Sequence, residues 1–448
     1  YFFSPVPCPM RMLRAAARPL IRSTLRRRTV HTATQQAGVH DRVIADVGSK
    51  AWNLHFREGA VFTDDLQLRT GLEQGAAPLF RILDIEGQVV NSKHDPQLSP
   101  ETCRAMLGNM VRSNMMDIVM YDAQRQGRIS FHMTQFGEEG AITACAAGLD
   151  PSDMVFAQYR EAGLLLWRGY KYQQMLDQCM GTCDDHGKGR QMPVHFGSPQ
   201  LNFMTVSSPL STQIPQAAGA GYALRLEEAD RIACCFFGEG AASEGDFHAG
   251  LNFAATLGSQ VLFFCRNNGF AISTPASEQY VGDGIYARGL GYGIHSVRVD
   301  GNDPLACYAA TVTARNHILQ HRQPVLIEAM TYRGGHHSTS DDSTRYRSKG
   351  EMEFWLQSLS PIRRFQKYCE ERGLWSAEDT VKIREATRAE VMAALDATEQ
   401  KPKWPVATMF DDVYATVPAK LHQQKAGLLQ HLEHNRASYP SLEGGPGH

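Results

Sequence analysis

The chain has 448 residues, of which 43% are hydrophobic and 21% are charged, close to the composition of ordinary globular proteins. These proportions exclude a mainly disordered chain, and the sequence has no run of about 18 apolar residues, so we expect no membrane-spanning helix. The 45 Lys and Arg residues against 47 Asp and Glu leave a formal net charge of −2, which provides no overall basic field for a nucleic-acid partner.

Residues 1–40 contain no Asp or Glu but carry seven arginines. Four of them recur every four residues, so a helix here would be basic and amphipathic: Arg14, Arg18, Arg22 and Arg26. This pattern is typical of an organelle transit peptide, and we expect residues 1–40 to be such a leader. A disordered basic tail, or an arm that contacts nucleic acid, is the alternative that the residues leave open.

After the leader we expect an N-terminal extension over 41–98, an α/β domain over 99–350 and a helical C-terminal region over 351–448. A helix begins near Ser99, because Pro100 suits a first helical turn and apolar side chains follow at helical spacing. Short apolar runs then predict strands at 154–157, 232–237, 261–265, 296–299 and 325–330. Stretches long enough for helices separate these strands, which predicts an α/β fold with a mainly parallel sheet flanked by helices.

The ten cysteines are scattered along the chain without the density of a disulfide scaffold, which fits a reducing compartment. Cys179 and Cys183, with His186 nearby, have the spacing of half a zinc site, but no second Cys or His pair stands at a useful distance. We therefore expect no zinc site. Cysteines in apolar runs, such as Cys234, are interpreted as small core residues.

The most informative segment is a predicted strand that runs into Gly238-Glu239-Gly240 and then into a helix that ends near Leu257. A strand, a glycine turn and a helix form a phosphate-binding geometry, because glycine permits close backbone approach and the helix N-terminus offers unpaired N–H groups. The dinucleotide pattern G-x-G-x-x-G would need glycine where Ser243 stands, which disfavours a nicotinamide-dependent oxidoreductase. No Walker-type G-K-[ST] follows.

A second predicted strand, 261–265, leads to another polar turn that contains Asn268. Because the carboxyl ends of parallel strands converge, Glu239 and Asn268 could share one hard cation such as Mg²⁺. A backbone carbonyl near Phe270 would be a third ligand, and Arg266 could pair with phosphate oxygens. The residues alone leave open that these are two unrelated turns.

The segments around these turns resemble the α subunits of the branched-chain 2-oxo acid dehydrogenases. The resemblance spans roughly residues 77 to 440 and is strongest in GRISFHMTQFGEEGA, QYREAG, GKGRQMPVHFGS, SSPLSTQIPQAAGAGYA, FGEGAASEGD, FFCRNNGFAISTP and IEAMTYRGGHHSTSDD. It implies a thiamine diphosphate-binding fold, decarboxylation of branched-chain 2-oxo acids with acyl transfer to a lipoyl carrier, and a place in the mitochondrial matrix. The glutamate of G-E-G, where the wider superfamily more often has aspartate, is the form shown by this subfamily.

The resemblance also implies the site residues, carried over one at a time. Contacts with thiamine diphosphate are expected from Gln158, Tyr159, Arg160, Ser208, Leu210, Gly240, Ala241, Arg266 and His337. Mg²⁺ would be bound by Glu239, Asn268 and Phe270, and K⁺ by Ser207, Pro209, Thr212 and Gln213.

His337 is the expected catalytic residue, above the thiazolium end of the cofactor. A neutral imidazole there could relay protons, and we expect its pKa to lie near the working pH. The adjacent Ser338 matches the serine at which kinase control acts in the family.

The implied partners are a β subunit, in an α₂β₂ heterotetramer, the lipoyl acyltransferase core of the complex, and a regulatory kinase and phosphatase. In this family the β subunit supplies the glutamate that activates the cofactor, and nothing in the spacing of Glu138 and Glu139 supports that role here. Two other identities stay open: the pyruvate dehydrogenase α subunit, which has a glycine-rich stretch in place of SSPLSTQIPQ, and a non-catalytic structural paralogue.

Overall fold

The computed structural model describes Leu66 and residues 75–439. The predicted transit peptide over 1–40, and most of the expected extension that follows it, lie outside the described residues. Within 75–439 there are eight strands: β1 Met154–Phe156, β2 Phe203–Met204, β3 Ala233–Gly238, β4 Val261–Asn267, β5 Phe270–Ala271, β6 Thr274–Pro275, β7 His295–Asp300 and β8 Val325–Met330.

The same part of the chain contains thirteen α-helices. These are α1 Pro100–Arg125, α2 Glu139–Gly148, α3 Ala162–Trp167, α4 Tyr172–Met180, α5 Gln213–Leu226, α6 Gly245–Leu257, α7 Ala276–Gln279, α8 Tyr286–Gly291, α9 Pro304–His321, α10 Lys349–Ser358, α11 Pro361–Glu371, α12 Ala377–Glu399 and α13 Ala419–His434. Among the described residues, no helix combines the length and apolarity needed to cross a bilayer.

Six strands form one sheet in the order β2-β1-β3-β4-β8-β7, and every neighbouring pair is parallel. Strands β5 and β6 form a separate antiparallel pair just after the end of β4. This topology confirms the predicted α/β fold with a mainly parallel sheet. Because the strands are parallel, the segments that follow β1, β3, β4 and β8 all leave the same edge of the sheet.

The central strands are buried on both faces, which explains their unbroken apolar sequences. Along β3, Cys234 and Phe236 belong to one hydrophobic core, whereas Cys235 and Phe237 belong to a second core on the other face. Packing from both sides holds β3 and β4 in place, so the polar residues that follow them occupy fixed positions.

Helix α1 begins where the sequence predicts, with Pro100 in its first turn and the Ser99 hydroxyl accepting the Thr102 N–H at 3.2 Å. The C-terminal helix α12 packs against α1 and α4. Arg128, just beyond α1, also forms ion pairs with Asp396 and Glu399 of α12 at 2.7 and 2.6 Å. Helices from the two ends of the described chain are therefore packed together.

Candidate active site

A cavity of about 160 Å³ lies at the edge of the sheet where β1, β3, β4 and β8 end. Eleven residues named from the sequence line it together: Gln158, Tyr159, Arg160, Leu210, Glu239, Gly240, Ala241, Arg266, Asn268, Phe270 and His337. The sequence did not single out Ala271, Ile272 and Arg333, which also line it. Segments far apart in the chain thus meet in one concave site, as expected for the carboxyl ends of parallel strands.

Glu239 follows β3 and is only 1% exposed. Its Oε2 atom accepts the Asn268 N–H at 3.3 Å, but its buried Oε1 atom has no hydrogen-bond partner. Burial raises the pKa of this carboxyl above its usual range. A buried carboxylate oxygen without a partner is costly, and a bound cation would remove that cost. The donor set therefore fits a hard metal ion.

The other two predicted Mg²⁺ ligands lie beside Glu239. The Asn268 amide nitrogen donates to Glu138 Oε1 at 3.0 Å, which fixes the orientation of the amide group. The Asn268 amide oxygen accepts the Phe270 N–H at 3.2 Å, while the Phe270 carbonyl accepts a long bond of 3.4 Å from Arg333. Neighbouring side chains and backbone thus orient Asn268 and Phe270, which line the same cavity as Glu239.

Two buried arginines supply positive charge to the cavity. Arg160 is 3% exposed and Arg333 is 1% exposed, and neither forms an ion pair with a carboxylate among the described residues. Arg160 donates to the carbonyls of Thr134 and His337, and burial lowers its pKa. Arg333 donates to the Ile272 carbonyl at 2.7 Å. Buried guanidinium groups without a carboxylate partner fit an anionic ligand such as a diphosphate.

The glycine turn after β3 presents backbone donors to the same cavity. The N–H groups of Gly240 and Ala241 have no backbone acceptor among the described residues, and a short 3₁₀ turn, Ala241–Ser243, begins there. A Cβ atom added at Gly240 would lie 2.7 Å from the Ala271 side chain, so only glycine fits. The turn therefore fits phosphate oxygens, as its sequence predicts.

Arg266 has a different environment from the other two arginines. Its guanidinium donates to Glu161 at 2.5 Å, to Glu138 at 2.8 Å and to Gln158 at 3.2 Å. Burial opposes the ionisation of Glu138, but Arg266 and Arg160 outweigh it and lower the pKa of that carboxyl. Arg266 thus holds three side chains around the cavity, a role that the sequence did not reveal. Its contact with a diphosphate stays a prediction.

His337 lines the cavity with its Nε2 atom 3.5 Å from the Tyr159 hydroxyl. Its backbone N–H donates to Asp341 at 2.6 Å, and its carbonyl accepts from Arg160 at 2.7 Å. Burial, together with the charges of Arg160 and Arg333, lowers the pKa of His337 to about 3. The expectation of a pKa near the working pH is therefore wrong for this environment. The other expectation, that the imidazole is neutral, agrees with the lowered pKa.

The segment 207–213, predicted to bind K⁺, lies beside the glycine turn. The Thr212 hydroxyl donates to the Pro209 carbonyl at 3.1 Å and lies 2.8 Å from the Ser207 hydroxyl, and the buried Gln213 amide donates to the Phe236 carbonyl at 3.0 Å. Several oxygen atoms thus lie close together in this segment, but K⁺ binding stays a prediction.

Ser208, which was predicted to contact the cofactor, does not line the cavity. Its hydroxyl lies 2.8 Å from His195 Nε2.

Ser211 is a structural residue of this segment that the sequence did not reveal. It is fully buried with a positive φ of 72°, and its hydroxyl donates to the Ala241 carbonyl at 2.5 Å. This bond connects the 207–213 segment to the glycine turn. The sequence gives no signal for this conformation of Ser211, because a non-glycine residue at positive φ is uncommon.

The residues 331–348 form a loop, here called the His337 loop, that carries both His337 and Ser338. Arg347 donates to the carbonyls of Arg333 and Gly335, which braces the loop from within. Ser338 is partly exposed, and its hydroxyl lies 3.2 Å from that of Ser340. A modifying enzyme could therefore reach a residue next to the cavity.

This fold and cavity define a class of enzyme component. The family model for the dehydrogenase E1 component matches residues 108–407, and the chain belongs to that family, which is thiamine diphosphate-dependent.

The similar proteins identify the branch of the family. The chain is 50% identical over 385 residues to 2-oxoisovalerate dehydrogenase subunit alpha, mitochondrial, of Caenorhabditis elegans, covering 86% of this chain and 89% of that protein. It is 51% identical over 381 residues to the protein of that name from Homo sapiens, covering 85% and 86%. Subunit alpha 1 of Arabidopsis thaliana is 44% identical over 412 residues, covering 92% and 87%. These similarities confirm the resemblance to the branched-chain family and disfavour the pyruvate alternative.

The buried His337 predicts a specific dependence of stability on pH. The folded chain keeps this imidazole neutral down to about pH 3, whereas the unfolded chain protonates it near pH 6.5. As the pH falls from 6.5 towards 3, the unfolded state binds the extra proton and the folded state loses stability. We expect the His337→Gln variant to lose less stability in acid than the natural chain.

Thermal unfolding of both proteins from about pH 7.5 to about pH 4.5 measures this difference. His422→Gln, which changes an exposed histidine on α13, is the matched control and should unfold like the natural chain at every pH. Equal acid sensitivity of the natural chain and His337→Gln would contradict the prediction.

Proposed function

We propose that this chain is the α subunit of a thiamine diphosphate-dependent dehydrogenase that decarboxylates branched-chain 2-oxo acids and passes the acyl group to a lipoyl carrier. The observation that carries the proposal is the presence of unpaired charges of both signs in one cavity. The Glu239 carboxylate has an oxygen without a partner, and Arg160 and Arg333 are buried without a carboxylate. A metal-bound diphosphate carries charges that complement both.

In this proposal the cation lies among Glu239, Asn268 and the Phe270 carbonyl, and Arg160 and the glycine turn bind the diphosphate. Thiamine diphosphate, when bound, supplies the ability to stabilise the negative charge left when carbon dioxide departs. Potassium would stiffen the 207–213 segment, through oxygens of Ser207, Pro209, Thr212 and Gln213. Leu210 of that segment, which lines the cavity, would complete the cofactor contacts.

His337 is the proposed proton-transfer residue of this chain. The N–H bond to Asp341 and the bond from Arg160 to its carbonyl hold its backbone on both sides. A neutral imidazole can accept a proton at one nitrogen and donate one from the other, which an imidazolium cannot do. The Tyr159 hydroxyl lies 3.5 Å from Nε2 and would orient the ring.

A partner subunit is part of the proposal. Two cavity-lining side chains, Leu210 and Ile272, are 43% and 55% exposed, so the cavity presents apolar side chains to the surface. Such surface is typical of a site that a partner covers. We propose a β subunit in an α₂β₂ heterotetramer, association with a lipoyl acyltransferase core, control by a kinase and a phosphatase, and location in the mitochondrial matrix.

The proposed activity predicts substrate preference. The chain, mixed with its candidate β subunit, thiamine diphosphate and Mg²⁺, should decarboxylate 3-methyl-2-oxobutanoate faster than pyruvate, and the chain alone should be inactive. Release of carbon dioxide measures both rates in parallel. Faster turnover of pyruvate would contradict the substrate assignment while leaving the cofactor intact, and no turnover of either acid would favour a non-catalytic paralogue.

The unpaired carboxylate predicts opposite effects of Glu239→Gln on binding and on stability. Removing a charge that has no partner should leave the metal-free chain as stable as the natural one or more stable. The loss of one ligand oxygen should weaken Mg²⁺ binding by about tenfold or more. Calorimetric titration with Mg²⁺ and thiamine diphosphate, and thermal unfolding without them, measure the two effects.

The matched control is Glu244→Gln, which changes an exposed carboxylate on the turn before α6 and should alter neither quantity. Unchanged Mg²⁺ affinity in Glu239→Gln would exclude this carboxylate as a metal ligand.

A negative charge at Ser338 is predicted to lower activity sharply. It would stand near Asp341, whose carboxylate accepts the His337 N–H and the Tyr346 hydroxyl, and repulsion would disturb the loop that holds His337. We expect Ser338→Glu to lose most of its turnover in the reconstituted enzyme and Ser338→Ala to retain it. Turnover of Ser338→Glu at the natural rate would rule out this form of control.

A further inference from the structure

A second cavity, of about 280 Å³, lies beside the His337 loop and shares no lining residue with the candidate active site. Residues of α1, α2, α10, α11 and α12 line it, together with Tyr332 and Gly334 of the loop. Glu139, the first residue of α2, also lines this cavity and is 2% exposed. Its carboxyl group forms no ion pair among the described residues, and the proposed mechanism does not use it.

Two hydrogen-bond donors hold the Glu139 carboxyl group. The Asn114 amide nitrogen, from α1, donates to Oε1 at 2.7 Å, and the Gly137 N–H donates to Oε2 at 2.8 Å. The Asn114 amide oxygen accepts from Arg384 of α12 at 3.2 Å, which fixes the direction in which this amide faces. Because donors face both oxygens, the ionised carboxylate is the form that satisfies them both.

The Gly137 N–H belongs to a turn that is bonded to the His337 loop. This turn, residues 135–138, accepts the Gly334 N–H at the Phe136 carbonyl at 2.7 Å. Gly137 has a positive φ of 86°, and a Cβ atom added there would overlap the Tyr332 carbonyl oxygen. The 135–138 turn therefore packs directly against the first residues of the loop.

The 135–138 turn also reaches the wall of the candidate active site. Glu138, its last residue, accepts from Arg266 at 2.8 Å and from Asn268 at 3.0 Å. The carbonyl of Thr134, just before the turn, accepts from Arg160. A displacement of the turn would therefore move both the loop and residues that line the active-site cavity.

We propose that Glu139 is a positioning residue, whose ionised carboxylate holds the 135–138 turn and thereby keeps the His337 loop in place beside the active-site cavity. Proton uptake by Glu139 would direct an O–H group at one of the two donors, so one hydrogen bond is lost and the turn is released. The inference rests on the proposed role of His337 in proton transfer, since it concerns the position of the loop that carries this residue.

The surroundings of Glu139 set the pH at which the turn is released. Burial, together with the charge of Asp117 on α1, raises the pKa of this carboxyl to about 7, against the lowering effect of the two hydrogen bonds. Arg363 of α11 and Arg384 of α12 line the same cavity, and Glu351 of α10 accepts a tyrosine hydroxyl at its wall. As the pH falls below about 7, the folded chain binds a proton at Glu139 and the turn loosens.

The test measures amide hydrogen exchange of the natural full chain by mass spectrometry, from about pH 8 to about pH 6, with each rate divided by the intrinsic rate at that pH. We expect the protection of peptides from 331–348 to fall by about tenfold over this range, with a midpoint near pH 7, because a charge-assisted hydrogen bond is lost. Peptides from β3 should keep their protection. Constant protection of 331–348 across the range would overturn the proposal.

Glu139→Gln replaces the carboxyl with a group that does not titrate. In this variant, the protection of 331–348 at about pH 8 should equal that of the natural chain at about pH 6, and it should not change with pH. Asp153→Asn is the matched control, because Asp153 is a carboxylate of 0% exposure before β1, at the other end of the strands from the active-site cavity. It should leave loop exchange unchanged. If Glu139→Gln keeps the natural pH dependence, another group, such as His336, causes it and the proposal is wrong.

A second variant keeps the test decisive if Glu139→Gln does not fold. Asn114→Ala retains the carboxyl group and its bond to Gly137 but removes the hydrogen bond that lowers the pKa of Glu139. The midpoint for loop protection should therefore move to higher pH, a shift that a merely structural role of Asn114 would not produce. A midpoint at its natural value would contradict the role of Glu139.

Turnover separates this inference from the proposed function. In the reconstituted enzyme at about pH 8, with saturating thiamine diphosphate and Mg²⁺, Glu139→Gln should lower kcat for 3-methyl-2-oxobutanoate by about tenfold and leave KM close to its natural value. A natural kcat in this variant would overturn the positioning role. If the natural enzyme decarboxylates no 2-oxo acid, the proposed function fails, whereas the exchange of the loop still decides whether Glu139 positions it.

Discussion

The candidate site depends on the hydrogen bonds that the buried guanidinium of Arg266 makes with its carboxylate neighbours. From the end of β4 it reaches Glu161, which follows β1, and Glu138, at the start of α2. Glu138 in turn accepts bonds from Asn268 and from Thr331, which follows β8. Directly and through Glu138, Arg266 thus connects segments that follow three parallel strands. Loss of any partner would leave a buried charge uncompensated, so the whole group is kept together.

The charges that Arg266 does not neutralise give the cavity its chemical character. Glu239 keeps one carboxylate oxygen without a partner, and Arg160 and Arg333 keep buried positive charge without a carboxylate. None of these three groups forms an ion pair among the described residues, although Arg160 and Arg333 are near enough to Glu138 to lower the pKa of its carboxyl. They persist because the surrounding network fixes them. A free anion would satisfy the arginines but repel Glu239, and a free cation would do the reverse. A ligand that brings both, such as a metal-bound diphosphate, suits the cavity better than either alone.

Local sequence pattern was enough to predict the central strands, the start of α1 and the position of the glycine turn. Strands buried on both faces have unbroken apolar runs, and a helix start and a tight turn require particular residue types. Other features depend on contacts between distant residues. The pKa of His337 follows from burial near Arg160 and Arg333, and Ser211 reveals its role only through a bond to Ala241. Strand β2 has only two residues, and α13 has no buried residue. Neither element therefore has the periodic hydrophobic pattern from which a strand or a helix is predicted.

Arg333 belongs both to the cavity and to the His337 loop, and this double position couples the two. It donates to the Tyr346 hydroxyl at 2.8 Å, and Tyr346 donates to Asp341, which also accepts the His337 N–H. An anion bound at Arg333 and a negative charge added near Asp341 therefore act on one chain of hydrogen bonds from opposite ends. Because coupling between two sites is reciprocal, occupation of the cavity should alter how readily the loop accepts that charge, as the charge alters binding in the cavity.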